Sequence, residues 1–381
     1  MRRITQRVVV AFFLAVVMAP GFSILLPIQP EEIENRRLQP PDVGLDSVFS
    51  PDFYLDVLRY VRDANPVRTW MIRGVTTIDY SLLGDSPNPS RVLVGDSGWL
   101  YDRATIESLC DTDPDEVVSR LVAVISSIRN LGVEVLFTVA PAKIGVYPEH
   151  LQHPESALAS CAIEASHHIR SRLSDLRDPG YVDLWAILEE VGEDGSTTYF
   201  LTDTHFNYES SVAWIEALIR RLDRNAWEGD AVKDLGIVEF SGNLATVAGI
   251  RKSERVRQVS IDRGRSPRPD LRLHDPFSED QSATEIFRMG DSIGSPMIED
   301  EVLILKDSFM DIPMGSLIQY LGNVTFTDWR SSDSIAYFLD RLREADIVIL
   351  ETGEEHLATR LITGDAISVD DIVSTQGGIG S

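Results

Sequence analysis

Two segments carry side chains of the types and spacing that nucleophilic acyl chemistry needs. Ser308 sits in Lys306-Asp307-Ser308-Phe309, directly after the apolar run Val302-Leu-Ile-Leu305 and shortly before Pro313. A serine at such a strand-to-helix turn is exposed, and backbone N–H groups there, its own included, suit an oxyanion. An ordinary turn or cap serine occupies the same kind of position. The other segment is Phe200-Leu-Thr-Asp203-Thr-His205-Phe-Asn207. A nucleophilic serine needs a base within hydrogen-bond reach, and the base needs a carboxylate that fixes its tautomer and stabilises the imidazolium. Asp203 and His205 can meet through local geometry alone; the plainer alternative is a surface Asp and His, or half of a metal site. Metal companions are lacking. His167-His168 falls in a helical pattern, and Asp111-Thr-Asp113-Pro-Asp115 reads as a solvated acidic loop. No cofactor is implied.

These residues need a frame that brings them together, and the pattern along the chain supplies one. Val117 to Leu131 is amphipathic, and Gly132 ends it before the buried-type strand Val133–Val139. Helical patterns cover Ser156–Leu173 and Ser210–Leu222, with a short strand Tyr181–Leu184 between them. Strand Val302–Leu305, a helix starting near Pro313, strand Val324–Thr327, helix Ser334–Arg343 and strand Asp346–Leu350 follow. Short apolar strands separated by helices predict an α/β fold with a parallel sheet covered on both faces. In such sheets reactive groups gather beyond the carboxyl ends of the strands, where Ser308 lies. Arg91 to Tyr101 reads as a strand, a Gly-bounded turn and an aromatic arm. Residues 251–300 are polar and read as a loop-laden surface insertion, and the tail from Gly364 reads as loose.

Composition narrows the compartment and the partners. Arg2, Arg3 and Arg7 precede an apolar run from Val8 to about Leu26. That pattern predicts a signal-anchor over 1–28 with the remaining chain outside the cytoplasm, periplasmic or extracellular; a cleaved secretory signal is the alternative. Residues 29–90 then form a lead-in, and 91–381 a catalytic domain. The net charge of -25 over 381 residues repels nucleic-acid phosphates, so a nucleic-acid partner is not expected. Cys110 and Cys161, the two cysteines of the chain, lack metal-ligand spacing and leave open one disulfide or two buried thiols.

Seven short motifs, in order, resemble the alginate O-acetyltransferase (AlgX/AlgJ-like) family of SGNH-hydrolase-like proteins. They are Glu34-Asn-Arg36, Asp63-Ala-Asn-Pro-Val-Arg68, Val94-Gly-Asp-Ser-Gly-Trp-Leu-Tyr101, Ala140-Pro-Ala-Lys143 through Tyr147-Pro-Glu149, Thr202-Asp-Thr-His-Phe-Asn207, Gly242-Asn-Leu244 and Lys306-Asp-Ser-Phe309. The resemblance implies an SGNH-hydrolase-like (flavodoxin-like) three-layer α/β/α sandwich that acetylates an exported polysaccharide. It makes Ser308 the nucleophile, His205 the general base and acid, and Asp203 the orienting carboxylate. It also implies a membrane-bound O-acyltransferase as acetyl donor. Arg330, Asn207 and Asp307 are candidates for the oxyanion or substrate, Arg330 and Asn207 with a loop-tying role as the alternative. Lys143 and Tyr147 match family positions and either contact glycan or hold the strand-to-loop turn. Lys306 stands where the family has Gly, so it either places a cation near the site or pairs with an acid.

Three readings compete at this point. An O-acetyltransferase acting on an exopolysaccharide or envelope glycan leads. A carbohydrate acetylesterase with the same serine chemistry differs only in using water as acceptor. A non-catalytic glycan-binding or assembly protein would keep the fold without the reaction.

Overall fold

The computed structural model describes residues 86–151, 155–264, 285–288, 297–329 and 332–362, together with 53–57, 60, 80 and 372. The apolar segment 1–28, most of the lead-in 29–90, Arg330 and the tail from 364, apart from residue 372, lie outside the described residues. Among the described residues no helix is long and apolar enough to cross a membrane. The chain divides into two compact units, one of residues 1–94 with 241–253 and the other of residues 95–240 with 254–381.

In the first unit, β1 (Val92–Val94) and the short helix Asn243–Ala248 carry the described order. Asn88 Nδ2 donates to the Val247 carbonyl at 3.2 Å, and Lys252 Nζ lies 2.5 Å from Tyr80 Oη.

The second unit contains every residue of the candidate site that the structure describes. It opens with β2 (Leu100–Asp102), α1 (Arg103–Cys110), α2 (Pro114–Arg129), β3 (Glu134–Ala140), α3 (Lys143–Val146), α4 (Glu155–Asp175), α5 (Leu184–Val191) and α6 (Tyr208–Leu222). After it come β4 (Val232–Phe240), β5 (Glu254–Ile261), β6 (Glu285–Arg288), β7 (Ile298–Lys306), α7 (Met314–Leu317), β8 (Leu321–Asp328), α8 (Ser332–Arg341), β9 (Ile347–Gly353) and α9 (Leu357–Leu361).

The main sheet has the order β3-β9-β7-β8-β6. Its first four strands are parallel, and β6 closes the edge antiparallel to β8. Every residue of β9 is buried, as are all but the first of β3. Since neighbouring strand residues face opposite sides, unbroken burial means that both faces are covered. Helices α2 and α5 pack on β3, and α8 packs on β7 and β8. This is the α/β arrangement with a parallel sheet that the apolar runs predict.

Local chemistry explains the element ends. Asp113 caps α2 by accepting from the N–H groups of Asp115 and Glu116 at 3.0 and 3.2 Å, and Pro114 occupies the first turn. The buried stripe Val117, Leu121, Val124 and Ile128 then faces the sheet. Each such side chain adds roughly 1.5–3 kcal/mol through burial. Gly132, at φ +88°, makes the left-handed turn that enters β3. A disulfide joins Cys110, at the end of α1, to Cys161 on α4, with Cα atoms 5.1 Å apart.

Two expectations need revision. The stretch 251–300, read as loop-laden, contains β5, β6 and the start of β7. Strands β4 and β5 form a separate antiparallel ribbon in which every residue but Ile261 is half-buried or exposed, so charged residues interrupt both strands and the unbroken apolar-run signal is missing. The predicted strand Tyr181–Leu184 contracts to a single parallel bridge between Tyr181 and Phe137. There Asp183 already caps α5, its side chain accepting from Ala186 N–H at 3.1 Å.

Candidate active site

Strand β7 ends at the centre of the sheet and delivers Lys306 and Asp307 to a 3-10 turn, Ser308–Met310. Ser308 Oγ lies 2.9 Å from His205 Nε2. On the far side of the imidazole, His205 Nδ1 is 2.6 Å from Asp203 Oδ1. The same Asp203 oxygen accepts from the His205 backbone N–H at 3.0 Å. The two-residue spacing thus folds into a local turn that fixes carboxylate and ring together. The Asp203 and His205 side chains are 9% and 16% exposed, so the carboxylate is shielded while the base keeps an open edge. Phe309 packs edge-on to the imidazole, with ring centroids 4.8 Å apart.

The loop that carries Asp203 and His205 is pinned from three directions. Lys143 Nζ, buried, donates to the carbonyls of Leu100, Leu201 and Asp203 at 2.8, 3.0 and 2.7 Å. Burial pushes this ammonium down to about 7, against the pull of the Asp203 and Glu254 charges. Three carbonyl acceptors use all three ammonium hydrogens, so the charged form is the one this geometry serves. Glu254 takes the N–H side of the loop. Its Oε2 accepts from Leu201 N–H at 2.8 Å, and its Oε1 from Thr202 N–H and Thr202 Oγ at 2.8 and 2.6 Å. Leu100 N–H donates to the Leu201 carbonyl at 2.9 Å.

Asn207 and Tyr147 act at the margins of this loop. Asn207 Oδ1 caps α6 at Ser210 N–H (3.0 Å), and its Nδ2 donates to the Thr197 carbonyl at 2.5 Å. Tyr147 Oη accepts from Thr198 N–H at 2.8 Å, and Tyr101 Oη donates to the Tyr147 carbonyl at 2.6 Å. The Tyr147 ring lies 4.4 Å from Trp99, which stacks on His150 at 4.6 Å. Lys143, Tyr147 and Asn207 therefore have their polar atoms engaged in loop and turn contacts, the tying role that the sequence left as an alternative. Lys306 is buried and pairs with Asp311 and, at 3.6 Å, with the buried Asp328.

Asp307 turns inward and is 1% exposed. Its Oδ1 accepts from the Ser308 N–H at 2.7 Å, and its Oδ2 lies 2.5 Å from His356 Nδ1. The Ser308 N–H, expected to face an oxyanion, is thus bonded to a carboxylate in this state. Sequence reasoning passed over Glu254 and His356. The available signal for His356 was Glu354-Glu355-His356 directly after the apolar strand β9, at the same carboxyl edge as Ser308. Glu254 sat in a polar stretch with no comparable mark.

The assembly has what acyl transfer requires: a hydroxyl, a base in contact with it and a shielded carboxylate behind the base. The chain's relatives fit this chemistry. The family profile of an SGNH hydrolase-like domain, acetyltransferase AlgX, matches residues 79–296, more than half of the 381-residue chain. That match includes Asp203 and His205 and stops short of Ser308, which the fold brings to the base. Among solved structures, the chain is similar to the O-acetyltransferase domain of AlgJ from Pseudomonas putida (TM-score 0.49, 16% identity, covering 75% of this chain and 99% of that one). It is also similar to PatB1 from Bacillus cereus (TM-score 0.47, 14% identity, 70% and 96%). AlgX from Pseudomonas aeruginosa is more distant (TM-score 0.39, 13% identity, 69% and 61%). No curated protein sequence matches the chain. On the strength of the profile, the chain belongs to the SGNH hydrolase-like acetyltransferase domain family of AlgX.

Proposed function

We propose that this protein is an O-acetyltransferase that moves an acetyl group, through an acetyl-Ser308 intermediate, onto hydroxyls of an exported polysaccharide or cell-envelope glycan. The observation that carries the reading is the continuous contact from Asp203 through His205 to Ser308, at 2.6 and 2.9 Å. Ser308 Oγ attacks the acetyl carbonyl while His205 Nε2 takes its proton, and Asp203 stabilises the imidazolium. The tetrahedral oxyanion collapses, the donor's leaving group departs with the proton from His205, and acetyl-Ser308 remains. A sugar hydroxyl then gives its proton to His205 and attacks the acetyl carbon. Collapse returns the proton to Ser308 Oγ and releases the acetylated glycan.

A membrane-bound O-acyltransferase supplies the acetyl group in this reading. The basic residues Arg2, Arg3 and Arg7 before an apolar run support an N-terminal anchor that keeps the catalytic unit at the outer face of the cytoplasmic membrane. The test is incubation of the detergent-purified full chain with p-nitrophenyl acetate, with and without short oligosaccharides, beside Ser308→Ala. Acetylated sugar that depends on Ser308 supports the transferase. Acetate released to water alone, still dependent on Ser308, shifts the assignment to an acetylesterase. Equal rates for wild type and Ser308→Ala would end the serine mechanism.

A further inference from the structure

Ser308 is held from two sides. Its Oγ meets the imidazole of His205, and its backbone N–H is bound by Asp307, which in turn meets a second imidazole, His356, at 2.5 Å. Gly353 N–H, 3.4 Å from Asp307 Oδ2, is a further donor to the same carboxylate. A carboxylate buried this deeply needs a counter-charge.

The charged and titratable groups around it come from four elements. On the turn after β9 stand Glu355 and His356, with Arg360 following on α9. On β9 itself, Glu351 accepts from the Asp307 N–H at 2.7 Å. On β7, Lys306 is engaged by Asp311 and Asp328. Burial raises both Glu351 and Glu355. His356 is the one among these groups that contacts the Asp307 carboxylate through a side-chain hydrogen bond. Burial pulls its imidazole down, but the Asp307 hydrogen bond and the Glu355 and Asp307 charges outweigh that pull and the Arg360 charge, and raise it to about 9. The opposing carboxyl falls well below the usual range: burial alone would raise it, and the His356 bond and charge reverse the sign.

We infer that His356 is a positioning residue for the nucleophile: as the imidazolium partner of Asp307 it holds the turn that carries Ser308 and neutralises a carboxylate that would otherwise oppose an oxyanion forming there. The inference rests on the reading of Ser308 as the acyl-accepting serine. Without the cation, Asp307 has two courses. It can take up a proton and weaken its hold on the Ser308 N–H, or stay charged and repel negative charge developing at the adjacent residue. Both slow the reaction at Ser308.

The test reads the nucleophile directly. Phenylmethylsulfonyl fluoride is added to the full chain in detergent, and sulfonylation of Ser308 is followed by intact mass against pH. In this reaction Ser308 Oγ displaces fluoride from sulfur while its proton leaves through His205, so neither acetyl donor nor glycan is needed. The wild-type rate falls as pH rises through about 9, where His356 loses its proton. His356→Gln slows sulfonylation at neutral pH on the order of 10²-fold, the effect of a misplaced reacting group, and lacks that basic limb. His356→Arg keeps most of the rate, and its plateau extends beyond the wild-type limb because guanidinium stays charged. A His356→Gln rate equal to wild type would overturn the inference. So would equal slowing by Gln and Arg with the limb unmoved, the mark of a merely structural contact. Absence of any sulfonylation in wild type would overturn both this inference and the acetyl-transfer reading. His356-dependent sulfonylation without acetyl transfer would uphold the inference and sink the transferase.

Discussion

Replacing Glu254 by Gln keeps the shape of the side chain and removes one acceptor. The carboxylate receives three hydrogen bonds, Leu201 N–H at Oε2 and Thr202 N–H and Oγ at Oε1. A glutamine can keep the Thr202 pair on its single oxygen, and its NH2 then faces the Leu201 N–H, donor against donor. A hydrogen bond to a charged acceptor contributes about 1.5–3 kcal/mol. Glu254 is half-buried, and water partly serves the abandoned donor, so the lower end applies, about 1.5–2 kcal/mol. At roughly 2–4 °C per kcal/mol for a domain of this size class, the melting temperature falls by about 3–8 °C. The functional loss exceeds the stability loss, because the same loop carries His205. A base displaced by about 1 Å lowers turnover on the order of 10²-fold. Differential scanning fluorimetry gives the first quantity, and Ser308-dependent turnover of p-nitrophenyl acetate gives the second. A Glu254→Gln protein that melts and turns over like wild type would refute the claim that this carboxylate holds the base.

The remaining predictions concern the same frame. Asp203→Asn leaves the fold intact and lowers kcat on the order of 10⁴-fold through the wrong imidazole tautomer; steady-state kinetics beside circular dichroism checks both halves. Lys143→Met removes the hydrogen bonds to the Leu100, Leu201 and Asp203 carbonyls and costs about 3 kcal/mol in urea unfolding, with turnover falling alongside. Replacing Cys110 and Cys161 together by Ala frees a loop with a sequence separation of 51, worth about 4 kcal/mol in the loop-entropy account, and the loss is read as a lower urea midpoint. The Asp307–His356 pair also enters stability. His356 has a folded pKa raised to about 9, so its contribution is complete below the ordinary imidazole range near 6.5 and disappears as pH rises through about 9. His356→Gln flattens that part of the stability profile.

What the sequence makes legible follows from burial. Strands β3, β7, β8 and β9 announce themselves as apolar runs because both of their faces are covered, and a residue at the end of such a run must lie at the sheet's carboxyl edge. Ser308 and the Asp203–His205 pair were visible for that reason and for their spacing. The β4–β5 ribbon escaped notice since neither strand has a fully buried face, so alternation is diluted by Arg, Glu and Asp. Glu254 and His356 escaped for a different reason: their partners are backbone N–H groups and a distant carboxylate, and pairings of that kind leave no periodic trace. Lys143 was found by its motif, but its role depends on three carbonyls, one from β2 and two from the loop of His205, which only the fold brings together.

His205 and Ser308 are 103 residues apart in the chain, and the strand behind His356 is paired in register with β3, Glu134 opposite Ile347. The central sheet cannot close until the last of its strands has emerged and docked. Non-local pairing of this kind forms late, after the local helices. A chain emerging N-terminus first presents His205 before Ser308, and the strand behind His356 after both. The order of the strands thus sets an order in time: a chain truncated before residue 347 lacks β9, and with it the Glu351, Gly353 and His356 contacts to Asp307.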